Sequence, residues 1–473
     1  MLRGAGGAGE SRSRQRSPPS GDPGRTVRFA LSEVATLLGG ELIGADVEVA
    51  GASVDSRTLR PGELFVPLVA ERDGHDFLAA AAAAGAAGCL VQRDRLGALG
   101  ALASPLVVVG DTAAALAQLG AAARDRFAGN VAGVTGSVGK TSTKDLLASA
   151  LSVAGPVCAS PASFNNSIGV PLTLLGASGT ERALVAEIGT SAPGEIADLA
   201  ALARPDTAVV TAVSAAHTEA FGTLEAVARE KSDLIAALPA TGTAVLNAED
   251  QRVAAMAALT EARVVSYGFG AGDVRAAEPA LDGALRPSFV MVTPWGRAPV
   301  RLRAAGLHNA RNALAAAAAA LALGVGLEGV AAGLGRAELS PWRMAVGTSA
   351  TGALIINDAY NANPASVAAA LHALAAAPAR RRVAVLGTMA ELGERHAAEH
   401  AAVAELAAAL DIELLAVDEA AYGAPPLDGS AAALAALGPL REGDAVLVKA
   451  SRVAGLERLA LALLDESGGT RPS

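Results

Sequence analysis

Nine residues, Gly133-Val-Thr-Gly-Ser-Val-Gly-Lys-Thr141, close an apolar run that begins at Val131 and open onto the helix-like stretch Ser142 to Ala150. A strand that turns through glycines into a helix points the N–H groups of the turn at one place, where a chain of phosphates can sit. Such a turn belongs at the carboxyl end of a strand in a parallel sheet, so this segment commits the middle of the chain to an α/β fold. Lys140 would bring charge to the β and γ phosphates of ATP, and Thr141 would offer an oxygen to Mg²⁺. The usual GxxxxGK[ST] spacing would place its first glycine at Val134, and the chain has Gly133, so the loop is a variant. Its nucleotide-binding residues are expected to be Gly133, Thr135, Gly136, Ser137, Val138, Gly139, Lys140, Thr141 and Ser142.

The rest of the chain repeats the strand-and-helix alternation. At 473 residues it is long enough for about three domains. Residues 1–27, rich in Gly, Ser, Pro and Arg, are expected to be a disordered tail, better explained as a start-site extension than as a transit peptide. Residues 28–128 mix short apolar runs at Glu63 to Val69, Cys89 to Val91 and Leu106 to Val109 with alanine-rich helical stretches, giving a small α/β domain. Residues 129–340 are expected to build a mostly parallel sheet from Val131 to Thr135, Ala183 to Ile188, Thr207 to Val213 and Ala244 to Asn247. Strand-like alternation from Val274 to Arg303 and a helix over Asn309 to Leu323 follow. Residues 341–473 carry runs at Leu354 to Asn357, Val383 to Leu386, Leu414 to Val417 and Ala445 to Val448 with helices between them, a Rossmann-like pattern.

Charge and composition exclude several functions. The formal charge of −9 gives no electrostatic reason to bind a phosphate backbone, so nucleic acid is not an expected partner. The apolar stretch Ala313 to Leu327 is mostly alanine and shorter than a membrane span of about 20 residues. The two cysteines, Cys89 and Cys158, stand far apart, which rules out a disulfide scaffold or a cysteine zinc site and suits a reducing cytoplasm.

Two further residues stand at the ends of expected strands. Glu187 closes Ala-Glu-Ile-Gly and His217 follows another strand in Ala-His-Thr-Glu. In a parallel sheet these ends converge on the crevice where Lys140 lies, so both could hold Mg²⁺. Alone, either could be a surface carboxylate or a satisfied histidine.

In this order the residues resemble the ATP-dependent Mur ligases of peptidoglycan synthesis. The stretches that carry the resemblance are Val54 to Arg57, Pro61 to Val66, Asp73 to Phe77, the phosphate loop, Asn165 to Pro171, Glu187, His217 to Gly222, Lys231, Gly306 to Asn309 with Asn312, Pro341 to Met344, Asp358 to Pro364 and Gly387 to Glu394. The resemblance covers nearly the whole chain from about residue 29. It implies that the γ-phosphate of ATP passes to a substrate carboxylate and that an amine then attacks the acyl phosphate, giving an amide, ADP and phosphate. Such chemistry needs positioning and charge neutralisation more than a protein nucleophile.

The resemblance also implies residue roles. Lys140, His217, Lys231 and Arg343 would be catalytic. Thr141, Glu187, His217 and Lys231, the last as a carbamate, would hold metal, with two Mg²⁺ expected. Asn309 and Asp358 would meet the adenine and ribose, and Arg343 would reach the γ-phosphate from the third domain. Ser56 and Arg57 would bind the UDP end of the substrate, and Asn166, Asn361 and Ser451 would also touch substrate. From the residues alone, Lys231 reads as a solvated helix lysine, Ser56 and Arg57 read equally as a turn, Asn312 equally as capping or packing, and His75 as structural or peripheral. Lys449, Ser451 and Arg452 read either as a loop and helix cap or as groups for a dipeptide carboxylate.

Within the family, the absence of an Asp-Asn-Pro-Arg tetrapeptide argues against addition of meso-diaminopimelate. The forms Gly387 to Glu394 with His400 and Asn357 to Pro364 favour the member that adds D-alanyl-D-alanine to UDP-MurNAc-tripeptide. Another amino-acid-adding member, whether for meso-diaminopimelate or lysine, is the alternative. A P-loop switch ATPase would leave the first and third domains unexplained, and a folylpolyglutamate type of ligase would leave Asp55 to Arg57 unexplained. The chain is expected to act as a monomer in the cytoplasm.

Overall fold

The structure is a computed structural model that describes residues 27–98, 104–214 and 218–465. Apart from Val27, the tail expected over residues 1–27 lies outside the described residues, and so does His217.

The N-terminal part forms a five-stranded sheet in the order Glu41–Ile43, Leu106–Val109, Gly88–Gln92, Leu64–Phe65 and Ala52–Ser53. Its first pair is antiparallel and the others are parallel. The run expected from Glu63 to Val69 forms a ladder strand only over Leu64–Phe65, since Pro67 has no N–H to give to a ladder, and Val69 makes an isolated antiparallel bridge with Asp73. A separate antiparallel pair joins Phe29–Ala30 to Glu48–Val49.

The central sheet has nine strands. Their order is Gly296–Arg301, Pro287–Thr293, Val274–Leu281, Arg263–Gly268, Thr243–Asn247, Thr207–Val210, Asn130–Thr135, Ala183–Glu187 and Val157–Ala159. All pairs from Val157–Ala159 across to Val274–Leu281 are parallel, and the last two are antiparallel. The strands near the centre are covered on both faces. Leu184, Val185 and Ala186 are fully buried in succession, which is why they read as a continuous apolar run and do not alternate.

One face packs the helices Lys140–Leu151 and Leu307–Ala322, and the other packs Glu195–Ala203 and Leu224–Ala236. The alanines of Leu307–Ala322 are what let that helix lie close in the core. The hydrophobic run from Ala313 is thus a core helix, and among the described residues no helix is long and apolar enough to cross a membrane. The sheet order places Asn130–Thr135 between Ala183–Glu187 and Thr207–Val210; the chain leaves Asn130–Thr135 toward Val157–Ala159 at one edge and leaves its neighbour Thr207–Val210 toward Thr243–Asn247 on the opposite side. A crevice opens at such a switch point, beyond the carboxyl ends of the strands.

The C-terminal sheet runs Ala345–Thr348, Leu354–Asn357, Asp444–Lys449, Arg381–Leu386 and Glu413–Ala416. Only its first pair is antiparallel. Apolar clusters cover both faces, one under Pro364–Ala375 and His396–Ala409 and the other under Gly429–Leu437 and Glu457–Asp465. The fold is the mixed α/β architecture that the sequence implied.

Candidate active site

The strand Asn130–Thr135 ends in the glycine loop, and the helix Lys140–Leu151 begins at its far side. Gly136 has φ +145°, and a Cβ there would sit 1.8 Å from Thr211 Oγ1. Gly139 has φ +82°, and a Cβ there would meet Asn312 Oδ1 at 2.5 Å. Both positions therefore need glycine, for backbone conformation and for space. Gly133 is different. It lies inside the strand, facing Leu234 and Ile188, and Thr135 is fully buried at the strand's end. The part of the loop that faces the cleft runs from Ser137 to Ser142.

Two adjoining cavities share Val138, Gly139, Ser142, Arg343 and Ser366. The first holds the loop's polar end: Lys140, Thr141, Asn165, Asn166, Glu187, Arg343 and Asn361 all line it. Lys140 Nζ donates to the Gly136 carbonyl at 2.6 Å. Burial pushes its pKa down, and Glu187 opposes that shift. Glu187 is 1% exposed. Its Oε1 accepts from Asn165 Nδ2 at 2.8 Å, whereas Oε2 is buried with no hydrogen-bond partner among the described residues. A carboxylate oxygen left dry and unpaired is costly unless a cation meets it. Together with the Thr141 hydroxyl, it offers the hard oxygen ligands that Mg²⁺ takes. The residues present thus fit the metal that a phosphate loop implies.

Lys231 lies on Leu224–Ala236, the helix behind this end of the sheet, and is 2% exposed. The alternative of a solvated helix lysine is therefore corrected. Among the described residues its Nζ makes no hydrogen bond or ion pair. Burial, with the Lys140 charge as the second cause, pushes its pKa down to about 7, so a substantial share of the amine is neutral at neutral pH. The neighbouring Glu230 is engaged elsewhere. Its carboxylate accepts from the N–H groups of Gly194 and Ile196 at 2.8 and 2.9 Å, at the start of Glu195–Ala203.

Arg343 comes from the C-terminal part, and Nη2 donates to Thr141 Oγ1 at 3.1 Å. The residues on both sides of it, Trp342 and Met344, have φ +59° and +51°. This left-handed backbone costs a non-glycine residue about 1 kcal/mol or more. It turns Arg343 into the cleft while the Trp342 ring stacks under Arg452, 4.3 Å from guanidinium carbon to ring centroid. Asn363 Nδ2 also crosses the cleft, to the Ser137 carbonyl at 3.4 Å. Asn363 caps the helix Pro364–Ala375 with Ser366 in a capping box.

The second cavity is lined by Asn309, Asp358, His308, Asn312 and Lys449. Asn309 Nδ2 donates to the Ala305 carbonyl at 2.8 Å and Oδ1 accepts from Asn312 at 2.9 Å, so Asn312 packs against it. Both oxygens of Asp358 are already engaged. Oδ1 accepts from Met344 N at 3.0 Å and Oδ2 from Lys449 Nζ at 2.6 Å. Lys449 is 2% exposed and gives another hydrogen bond to the Asn361 carbonyl. It is thus paired inside the chain. Ser451 is likewise used, accepting from Ala390 N at 2.9 Å and donating to the Ala362 carbonyl at 3.2 Å. Removing one partner of a buried ion pair costs about 3–5 kcal/mol. Asp358→Ala should accordingly lower the thermal transition by several degrees in calorimetry, because it strands Lys449, and an unchanged transition would show the pair to be dispensable.

Ser56 and Arg57 lie apart from this cleft, in the N-terminal part. Arg57 is exposed and its guanidinium is held by Asp55 at 2.6 Å. That contact holds the Asp55 carboxyl down at about 2. Asp55 also accepts from Arg57 N at 2.9 Å, which makes a local turn. Asn166 Oδ1 accepts from Ile168 N and Gly169 N, at the start of Gly169–Leu175. His75 is buried, with Nδ1 2.6 Å from Asp73 and Nε2 accepting from Gln92 N at 3.0 Å; it is structural. Sequence reasoning missed Tyr360, Asn363 and Ser163 as cleft residues, although the first two lie inside the stretch Asp358 to Pro364 that it singled out.

A phosphate loop at the switch point, an orphaned carboxylate beside it and an arginine supplied by a second sheet define an ATP-dependent ligase of the Mur type. The middle-domain model of the Mur ligases matches residues 134–320, and the model of their glutamate ligase domain matches residues 342–452. The chain belongs to the Mur ligase family. Membership implies the use of ATP and Mg²⁺. The chain is 40% identical to the UDP-N-acetylmuramoyl-tripeptide–D-alanyl-D-alanine ligase of Mycobacterium tuberculosis, over 94% of its own length and all of that protein. A crystal structure of MurF from Acinetobacter baumannii superposes with a TM-score of 0.82 at 32% identity, covering 93% of this chain and 99% of that one. MurF ligase from Thermotoga maritima in complex with ADP gives 0.75 at 28%, covering 88% and 97%.

Proposed function

We propose that the chain joins D-alanyl-D-alanine to UDP-MurNAc-tripeptide at the expense of ATP, the last cytoplasmic step in making UDP-MurNAc-pentapeptide for peptidoglycan. The observation that carries this reading is the cleft itself. Lys140, Glu187 and Arg343 converge on one loop, in a chain that aligns along nearly its whole length with relatives bearing that ligase name.

In this reading residues 28–128 bind the UDP end, with Ser56 and Arg57 as contacts. Residues 129–340 bind ATP and the peptide carboxylate, and residues 341–473 bring the dipeptide. Lys140 would exchange the Gly136 carbonyl for the β and γ phosphates. Arg343, already at Thr141, would meet the γ-phosphate as its charge spreads. Glu187, Thr141, His217 and Lys231 as a carbamate would hold Mg²⁺, which would supply charge neutralisation to the transferred phosphoryl group. Asn166 and Asn361 face the same cavity and would orient the peptide end, while Asn309 and Asp358 would border the nucleoside. The terminal carboxylate takes the phosphoryl group. The dipeptide amine then attacks the acyl carbon, phosphate leaves, and a C–N bond replaces the C–O bond as the amine loses a proton. Closing the C-terminal part over the loop would keep water from the acyl phosphate. Two Mg²⁺ ions and a monomeric, cytoplasmic enzyme complete the proposal.

The test is phosphate release and product mass with UDP-MurNAc-tripeptide and ATP, offering D-alanyl-D-alanine, meso-diaminopimelate, L-glutamate or no amine. Release together with the mass gain of the dipeptide alone is the expected result. Phosphate release that ignores amine and peptide would replace this reading with a switch ATPase.

A further inference from the structure

Arg343 does not stand alone in the cleft. Its guanidinium carbon lies 4.2 Å from the centroid of the Tyr360 ring. An aromatic face attracts a guanidinium and fixes the plane in which its N–H groups point. The Tyr360 hydroxyl is hydrogen-bonded to Ser163 Oγ, on the opposite wall of the cleft. Tyr360 N also donates to the Trp342 carbonyl at 3.4 Å, so the platform and the arginine lie at the open end of one antiparallel strand pair, Ala345–Thr348 with Leu354–Asn357. Ser163 in turn stands two residues before Asn165, which orients Glu187 at 2.8 Å.

We propose that Tyr360 is a positioning residue of the ligase reaction: its ring aims Arg343 at the phosphate loop, and its bond to Ser163 ties that aim to closure of the C-terminal part over the central sheet. When the cleft opens, the Ser163 bond breaks and the ring is free to rotate. The arginine then loses its fixed orientation at the same moment as the Glu187 side of the site loses contact with the other wall. A phosphoryl group would therefore be transferred only in the closed cleft. The proposal rests on the reading of Arg343 as the contact to the transferred phosphate.

The test uses the full chain with Tyr360→Leu, Tyr360→Phe, Ser163→Ala and the Phe/Ala pair, following amide formation with saturating peptide and D-alanyl-D-alanine. Loss of the ring should lower kcat about 30-fold with KM for ATP moving less than about threefold, since the aim of Arg343 matters in the transition state. Tyr360→Phe and Ser163→Ala should each cost about fivefold, and the pair no more than either alone, because one bond is removed in all three. A kcat for Tyr360→Leu within twofold of the unaltered chain, or single effects that multiply in the pair, would overturn the proposal. Should Tyr360→Leu fail to fold, the Phe and Ala cycle decides by itself. If the unaltered chain makes no amide with any amine, the ligase reading fails, and small-angle scattering with ATP then decides this one. Variants that bind ATP without the contraction of the unaltered chain support it, and equal contraction overturns it.

Discussion

Lys231→Ala should lower turnover by about a thousandfold or more while ATP still binds, a loss of about 4 kcal/mol in transition-state stabilisation. The reason lies in what the side chain lacks. It is buried at 2% exposure without a partner among the described residues, and its pKa is pushed down to about 7 by burial and by Lys140. A neutral amine can take up CO₂, which turns a cation into an anionic oxygen ligand of the kind Mg²⁺ prefers. A small carboxylate such as acetate, admitted into the space left by Lys231→Ala, should restore part of the activity, whereas it should do nothing for Lys140→Ala. Steady-state kinetics with and without acetate, beside ATP affinity by calorimetry, make the comparison. Full activity in Lys231→Ala would remove the carbamate from the mechanism.

Arg343→Ala should cost about a thousandfold in kcat, the lower end of what an arginine supplied to a transferring phosphoryl group contributes. Arg343→Lys should recover little of it. The guanidinium makes two directional contacts at once, a hydrogen bond to Thr141 Oγ1 at 3.1 Å and a stack on Tyr360 at 4.2 Å. An ammonium has neither the flat face nor the fork to keep both. Rapid-quench measurement of acyl-phosphate formation separates this loss from any effect on the amine step. A lysine variant within tenfold of the unaltered chain would reduce Arg343 to a point charge.

The central sheet and the C-terminal sheet were legible in the sequence because parallel strands buried on both faces leave continuous apolar runs. Leu354–Asn357 falls where it was expected, and so does Leu106–Val109. Arg263–Gly268 was not legible, since its first two residues are exposed and its apolar run is interrupted by Ser266. The phosphate loop was visible from glycine spacing, but that spacing could not tell Gly133, packed within a strand, from Gly136 and Gly139, where a Cβ has no room. Glu187 was readable from its place at a strand end, while its unpaired oxygen was not. Lys449 carries the same lesson in reverse. Its charge suggested a ligand, and only the packing of two strand ends shows that Asp358 already neutralises it.

The apolar cluster that runs without a break from Val27 through Phe127 to Ala262 bears on how such a chain can be rebuilt. The helix Thr112–Arg126 comes so close to Gly169–Leu175 that a Cβ at Gly120 would lie 2.8 Å from Pro171. Arg124 then clamps the join through the carbonyls of Ala203 and Arg204 at 2.8 and 3.0 Å. A chimera that grafted a relative's first 128 residues onto this central sheet would cut through that cluster and would have to carry Pro171 and its neighbours along. The joint near Ser340 is a different kind of seam, polar where it is tied by Asp145 at 2.7 Å. A recombinant that trades amine specificity by exchanging everything beyond Ser340 would disturb far less buried carbon, so modular redesign of this ligase is best begun from its carboxyl end.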